Sequence, residues 1–230
     1  MAKIEKAPKI PMGIQAYHLI HKKIITLDLE PGQHLDEKQL VHQLGIGRTP
    51  IREALLRLAS EFLVETQPSK GFIVRPLTVQ NVKAMFEAMH IMEMGVVSLA
   101  IRQDPSKYLP MMEESQKRFE KAIETNDVLE MVLSNHSFHM HFAQCSANEY
   151  LIRALKDVRN EVNRLSYLSF GSRMDITDDI RQHYKSVDQD HLQMMDCLIK
   201  KDQDLLQKTV EEHNKAFQRR VIFYLTSSKL

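Results

Sequence analysis

The glycines of this 230-residue chain are distributed unevenly, and this distribution limits what the chain can fold into. Five of the seven precede residue 75 and two follow it: Gly13, Gly32, Gly45, Gly47 and Gly71, then Gly95 and Gly171. Glycine marks turns and is unfavourable inside helices. We therefore predict a small, turn-rich domain over residues 1–75 and a larger helical domain over residues 76–230, a division that also suits the length.

The composition is that of a globular protein, with 43% hydrophobic and 27% charged residues. Lys and Arg outnumber Asp and Glu by 11 to 8 over residues 1–75 and are outnumbered by 20 to 22 in the rest, which weakly favours phosphate binding by the first domain. Two cysteines, Cys145 and Cys197, are too few for a disulfide framework. No stretch reaches about 18 uninterrupted apolar residues, so we expect a cytoplasmic protein without a membrane partner.

The first domain contains three predicted helices. Apolar residues recur at helical spacing from about Met12 to Leu27, and Pro31-Gly32 ends that element. A short helix then opens at Leu35-Asp36-Glu37, with Asp36 as a possible cap. After the Gly45-Ile46-Gly47 break, a third helix runs from Arg48 to about Ser60.

The third helix is followed by two β-prone runs, Leu63–Thr66 and Phe72–Val74, separated by a segment with Pro68 and Gly71. Two short helices, a tight turn and a hairpin together predict a winged helix-turn-helix, in which the first turn of the second helix of the motif contacts DNA. Arg48 and Arg52 lie four residues apart and share a helix face. Thr49 can donate to a phosphate, and Gly47 and Pro50 suit the helix start. The alternative for the two arginines is an exposed ion pair, for instance with Glu53 or Glu37.

The second domain shows helical periodicity with few breaks to about Leu225. Thr78, Asp104 and Asn126 or Asp127 are predicted helix starts. We expect an all-α antiparallel bundle of six or seven helices.

The first domain resembles the GntR family of bacterial transcriptional regulators. The resemblance rests on four segments that occur in order between Tyr17 and Val74: PGQHLDEKQL, GIGRTPIREALLRL, EFLVE and SKGFIV. It implies a homodimer that binds double-stranded operator DNA through a basic residue of the second helix, two arginines and the wing. By position these are Lys38, Arg48, Arg52 and Gly71, with Lys70 beside the last. Gly47 departs from the Ser or Thr common in the family, which removes one hydroxyl contact to phosphate.

Three histidines and an asparagine of the second domain form a candidate metal site. Asn135 and His139 are four residues apart on one helix, and antiparallel helices can bring His191 and His213 beside them. Imidazole nitrogen is a good ligand for zinc and other divalent transition metals. Helical histidines are nevertheless more often surface or core residues than ligands.

From about Thr78 onward the chain resembles the FCD ligand-binding domain of the FadR subfamily. Its metal-binding members use an aspartate and a histidine in D-x-x-F-H and two later histidines, and His139, His191 and His213 match those histidines. The resemblance implies a divalent transition metal, with zinc first and nickel or manganese as alternatives. Asn135 replaces the aspartate, which weakens the site or shifts its metal preference.

An effector pocket is expected near Met89 and Glu93. Relatives place an arginine four residues before this glutamate, where the chain has Met89. Met85, Met89 and Met92 share one helical face, which favours core packing, with the apolar wall of a pocket as the alternative.

Two functions are weighed. The first is a transcriptional repressor, which is not an enzyme. An effector, either an organic acid or a sugar acid, controls it by binding in a pocket that contains a metal. The alternative is a metal-dependent hydrolase using the three histidines, although the sequence has no H-E-x-x-H motif. RNA binding is disfavoured by the lack of aromatic platforms.

Overall fold

In a computed structural model, which describes residues 10–68, 70–171 and 178–227, the chain divides into two units, Met1–Pro76 and Leu77–Leu230. The segment predicted to connect the two β-prone runs includes Ser69, which lies outside the described residues. Between these gaps the chain is mainly helical, and no described helix is both long and apolar enough to cross a membrane.

The first unit contains three helices: α1 (Met12–Ile25), α2 (Glu37–Leu44) and α3 (Arg48–Ser60). Asp36 caps α2, because its side chain accepts hydrogen bonds from the Lys38 and Gln39 amides. Gly45 ends α2 in the left-handed conformation, with φ of 64°, which glycine adopts without strain. The helix α3 packs against α1 and α2 through a stripe of buried residues: Ile51, Ala54, Leu55 and Leu58.

An antiparallel sheet of three strands completes the described part of the first unit. Its strands are β1 (His34–Leu35), β2 (Val64–Gln67) and β3 (Gly71–Val74), in the order β1-β3-β2. The predicted wing hairpin is β2 and β3, and the winged helix-turn-helix is confirmed. The prediction that Leu35 opens a helix is wrong, because Leu35 pairs with Phe72 of β3 and α2 begins at Glu37.

The second unit is an all-helical bundle, as predicted. Its described residues form α4 (Val79–Ala100), α5 (Leu109–Thr125), α6 (Val128–Gln144), α7 (Glu149–Phe170), α8 (Asp178–Lys200) and α9 (Gln203–Ser227). Consecutive helices pack together from α5 to α7, and α8 packs on α9 and α5. The helix α4 closes the bundle against α6, α7 and α9.

Side-chain caps explain where most of these helices begin. Thr78 and Asp127 accept hydrogen bonds from backbone amides in the first turns of α4 and α6, as their predicted roles require. Asp104 is not a helix start. Its carboxylate accepts from the backbone N–H of Ser106 in a turn, and α5 begins only at Leu109.

Candidate nucleic-acid interface and metal centre

The end of the first unit that carries the start of α3 presents an exposed polar surface. Lys38, Gly47, Arg48, Thr49 and Arg52, which were predicted to contact DNA, are all exposed. We call the exposed side chains of Arg48, Thr49 and Arg52 the reading face. Exposure leaves the guanidinium groups of both arginines accessible to a duplex.

A single carboxylate, that of Glu37, lies between the two arginines of the reading face. Glu37 Oε2 is 3.2 Å from Arg48 Nε, and Glu37 Oε1 is 3.7 Å from Arg52 Nη1. The arginine side chains are 70% and 59% exposed, whereas Glu37 is 16% exposed. The ion pair considered as an alternative for these arginines is therefore present, and it leaves most of each guanidinium in solvent.

The first turn of α3 has backbone donors that no side chain caps. Gly47 occupies the N-cap position and makes no side-chain hydrogen bond. Pro50 has no N–H, and the Ile51 N–H donates to Gly47 O. The open donors of this turn are thus the N–H groups of Arg48 and Thr49, which can donate to a phosphate oxygen.

The wing places Lys70 and Gly71 at the start of β3. Gly71 has φ of 82°, which favours glycine. The His34 Nε2 atom in β1 is hydrogen-bonded to the Lys70 carbonyl oxygen. This bond ties the exposed Lys70 to the body of the sheet.

Three histidines meet inside the second unit. His139 on α6, His191 on α8 and His213 on α9 are buried, and one potential ligand atom from each lies within 4.8 Å of the other two. The ring centroids are 5.1–5.4 Å apart. The structure thus brings together the three histidines singled out in the sequence, and we call them the histidine cluster.

Hydrogen bonds from the surrounding bundle orient two of these rings. His191 Nδ1 lies 2.7 Å from Gln116 Oε1, and His213 Nδ1 lies 3.0 Å from Asp190 Oδ2. Because both partner oxygens only accept, each Nδ1 carries the proton, which leaves Nε2 with a free lone pair. The Phe138 ring stacks on His191 at a centroid distance of 3.9 Å.

Several atoms around the cluster lack partners. Asn135 Oδ1, His139 Nε2 and His191 Nε2 are buried and have no hydrogen-bond partner among the described residues. Each such atom costs about 1–3 kcal/mol if it stays unsatisfied. All three offer lone pairs, so this donor set fits a cation.

Burial also favours the neutral form of His139 and His191. Burial, with the Arg159 guanidinium as the next contributor, holds the pKa of His139 well below its usual range. The pKa of His191 is lowered in the same direction by burial, by His213 and by Arg159. The Nε2 lone pairs of both rings are therefore available near neutral pH.

A small polar cavity of about 20 Å³ adjoins the histidine cluster. Its wall includes Asn135 and His213, two of the predicted site residues, together with Arg159 and His183. Burial lowers the pKa of His183 to about 3. A space of this size holds about one water molecule.

The two residues expected to form an effector pocket do not line this cavity, although Glu93 contacts two residues that do. Met89 is fully buried in the apolar core of the bundle. The Glu93 carboxylate is buried and accepts hydrogen bonds from Arg159 and Asn214. Among the described residues that line the small cavity, neither Met89 nor Glu93 occurs.

Sequence reasoning did not single out Gln116, Arg159 or the role of Asp190. Gln116 and Arg159 are 75 and 66 residues from the partners they bond, His191 and Glu93. No local spacing signals such pairs. Asp190 directly precedes His191, and this adjacency was the one sequence signal that could have pointed to Asp190 as part of the site.

Family comparisons agree with this architecture. Residues 14–74 match the family of bacterial regulatory proteins, gntR family, and residues 84–216 match the FCD domain family. Together the two matches cover the reading face, the wing and the whole histidine cluster.

Individual relatives are also regulators. The HTH-type transcriptional regulator YdhC of Bacillus subtilis (strain 168) is 28% identical over 162 residues, covering 70% of this chain and 72% of the relative. The HTH-type transcriptional repressor RspR of Escherichia coli (strain K12) is 22% identical over 206 residues, covering 90% and 87%. The solved structure of E. coli McbR/YncC has a TM-score of 0.76 at 21% identity, covering 96% of this chain and all of that one, and so shares the fold.

These matches bear on the two functions weighed from the sequence. The relatives are transcriptional regulators, so the metal-dependent hydrolase is not supported. The chain belongs to the gntR family of bacterial regulatory proteins, carries an FCD domain, and is a DNA-binding transcriptional regulator.

Proposed function

We propose that the chain is a cytoplasmic, homodimeric repressor that releases or binds its operator in response to a small organic acid or sugar acid. The proposal that an effector controls the protein rests on the buried histidine cluster and its unpartnered lone pairs. This cluster lies within the segment that matches the FCD family. The name of RspR, a repressor, supports the sign of regulation. A twofold dimer would bind two half-sites of a palindromic operator.

In the proposed DNA complex, Arg48 and Arg52 hydrogen-bond to base edges or phosphates in the major groove. Both are exposed and lie on one face of α3. The open N–H groups of Arg48 and Thr49 suit a phosphate. Supporting contacts come from three further exposed residues of α2 and the wing: Lys38, Lys70 and Gly71.

In the proposed metal site, Asn135, His139, His191 and His213 hold a divalent transition metal. Zinc suits three imidazoles and an oxygen, and nickel or manganese are alternatives. When bound, the metal would supply a Lewis-acidic position for an oxygen of the effector. Gln116 and Asp190 hold the His191 and His213 rings in the tautomer that binds metal.

Effector binding and operator binding are coupled through the dimer in this proposal. Linkage requires that the effector change operator affinity by the same factor by which the operator changes effector affinity. The two affinities can therefore be measured as independent checks on one coupling free energy.

The test begins with elemental analysis of the purified protein. We expect about one metal ion per chain in the wild type, loss of that metal in His191→Ala, and retention in His42→Ala, an exposed histidine of α2. A duplex selected from a random pool then serves in anisotropy titrations with and without added organic acids. A metal-free wild type whose stability no added metal changes would contradict the metal site, and sedimentation as a monomer would contradict the dimer.

A further inference from the structure

Leu56 is an exposed leucine in the middle of α3. It is 51% exposed, whereas Leu55 and Leu58 on the same helix are fully buried. A single exposed leucine is ordinary on a protein surface. What distinguishes Leu56 is its position, because α3 is the helix that carries the reading face.

Helix geometry places Leu56 on the same side of α3 as the reading face. At about 100° per residue, the directions of Leu56 and Thr49 around the helix axis differ by about 20°, and those of Leu56 and Arg52 by about 40°. The rise of about 1.5 Å per residue puts Leu56 about 10 Å beyond Thr49 along the axis. Leu56 therefore extends the reading face by a distance of about three base-pair steps.

The two charged side chains that flank Leu56 on α3 lie against α1 instead. The Arg57 guanidinium pairs with Glu61 at 3.2 Å and lies 3.8 Å from the centre of the Tyr17 ring. Glu53 Oε2 lies 3.0 Å from the position that a Cβ atom on Gly13 would occupy. Both side chains are thus directed toward α1 and away from the reading face.

Leu56 is therefore the side chain that continues the reading face beyond Arg52. The remaining exposed residue of this part of α3, Ser60, bonds to its own helix, because its Oγ donates to the Arg57 carbonyl oxygen at 2.7 Å. All of α3 belongs to the part of the chain that the structure describes.

The chemistry of leucine limits what Leu56 can recognise on a duplex. An aliphatic side chain neither donates nor accepts hydrogen bonds, so it cannot bind a phosphate or the hydrogen-bonding atoms of a base edge. The apolar group that the major groove presents is the C5-methyl group of thymine. Contact between that methyl group and Leu56 would remove apolar surface of both from water.

We propose that Leu56 contacts the C5-methyl group of a thymine in each operator half-site, and that it thereby selects a T·A pair about three base pairs from the pair that faces Thr49. This inference rests on the proposed DNA complex and adds a specificity-determining residue to it. In zinc fingers, side chains spread over a similar length of helix contact three successive bases. The arginines of the reading face supply hydrogen bonds and charge, and Leu56 supplies the preference for thymine.

The experiment replaces thymine by uracil, which removes the C5-methyl group and keeps every hydrogen-bonding atom of the base pair. The full-length protein is titrated by anisotropy with the selected operator, and then with duplexes in which one thymine at a time is replaced. We expect one position in each half-site at which the replacement weakens wild-type binding about fourfold, as the loss of one buried methyl group predicts. Replacement at the other thymines should leave the affinity unchanged.

Three variants give different expected results. Leu56→Ala binds the thymine operator as weakly as the wild type binds the uracil duplex, and it no longer distinguishes the two. Leu56→Met keeps an apolar chain of similar reach and keeps the discrimination. Leu19→Ala is the matched control, since Leu19 is a 43% exposed leucine of α1, and it leaves both affinities unchanged.

The outcomes separate this inference from the proposed DNA complex. If neither Arg48→Ala nor Arg52→Ala weakens operator binding, the proposed complex is overturned, and the role of Leu56 with it. If the arginine variants weaken binding but no uracil replacement does so in the wild type, the role of Leu56 alone is overturned. The same holds if Leu56→Ala discriminates as the wild type does. Should Leu56→Ala not fold by circular dichroism, Leu56→Gln takes its place, and retained discrimination in that variant overturns the inference.

Discussion

Glu37 offers a sharp test of how the reading face is organised. The change Glu37→Gln removes one charge and keeps the side-chain shape. It breaks two ion pairs, at 3.2 Å to Arg48 and 3.7 Å to Arg52. If Glu37 positions both arginines, the variant should lose preference for the operator while gaining general attraction to DNA.

The size of the effect follows from the exposure of the pairs. Both arginines are more than half exposed, so each pair is worth about 0.2–1 kcal/mol. Losing both costs the operator complex about 0.4–2 kcal/mol, or roughly a 2- to 30-fold weaker affinity at the same salt concentration. Binding to a scrambled duplex should strengthen, because a negative charge near the phosphates is gone.

The assay is an anisotropy titration with the selected operator and with a scrambled duplex, repeated between about 50 and 200 mM salt. Glu53→Gln is the matched control, since Glu53 is an exposed residue of α3 and no described ion pair joins it to either arginine. The control should strengthen binding to both duplexes alike. If Glu37→Gln behaves as the control does, Glu37 does not position the arginines.

Four further predictions follow from the structure. Arg52→Ala should cost operator binding about 1–3 kcal/mol in anisotropy titrations, and an unchanged affinity would remove Arg52 from the reading face. A metal at a hundred times its Kd should stabilise the protein by about 2.7 kcal/mol and raise the melting temperature by several degrees, an effect absent in His191→Ala. The metal-free protein should lose stability in urea titrations as pH falls below about 6.5. Burial lowers the pKa of His139, His191 and His183, so on acidification the unfolded chain binds protons before the folded chain does. The stability that is present above the unfolded pKa should therefore drop by up to roughly 1.4 kcal/mol per pH unit for each group. A flat profile from pH 7 to about 5 would contradict that assignment. Asp36→Ala should destabilise the first unit by about 1 kcal/mol through loss of the α2 cap, measured by thermal unfolding.

The elements that local chemistry specifies could be predicted from the sequence. Asp36 caps α2, Pro50 lies in the first turn of α3, and Thr78 caps α4, because each role depends on neighbours within four residues. The strand β1 was not predicted, because His34 and Leu35 are too few residues to show an alternating hydrophobic pattern. They form a strand only because they pair with Ile73 and Phe72 of β3.

The candidate metal site likewise has a part that could be predicted from the sequence and a part that could not. The positions of His139, His191 and His213 were available from helix spacing and from the family resemblance. The contacts that set their tautomers, and the pairing of Arg159 with Glu93, join residues far apart in the chain. Such pairs form only when the helices of the bundle pack together, so the spacing of residues along the sequence does not predict them.

The uncapped start of α3 has a kinetic consequence. The N–H groups of Arg48 and Thr49 make no hydrogen bond to a described side chain, so a phosphate replaces only water there and no internal bond has to open first. Encounter with the operator should then be limited by diffusion and orientation and accelerated by the long-range field of the basic side chains. Added salt would slow association more than it hastens dissociation at this helix end, and residence time would be set by the arginine contacts.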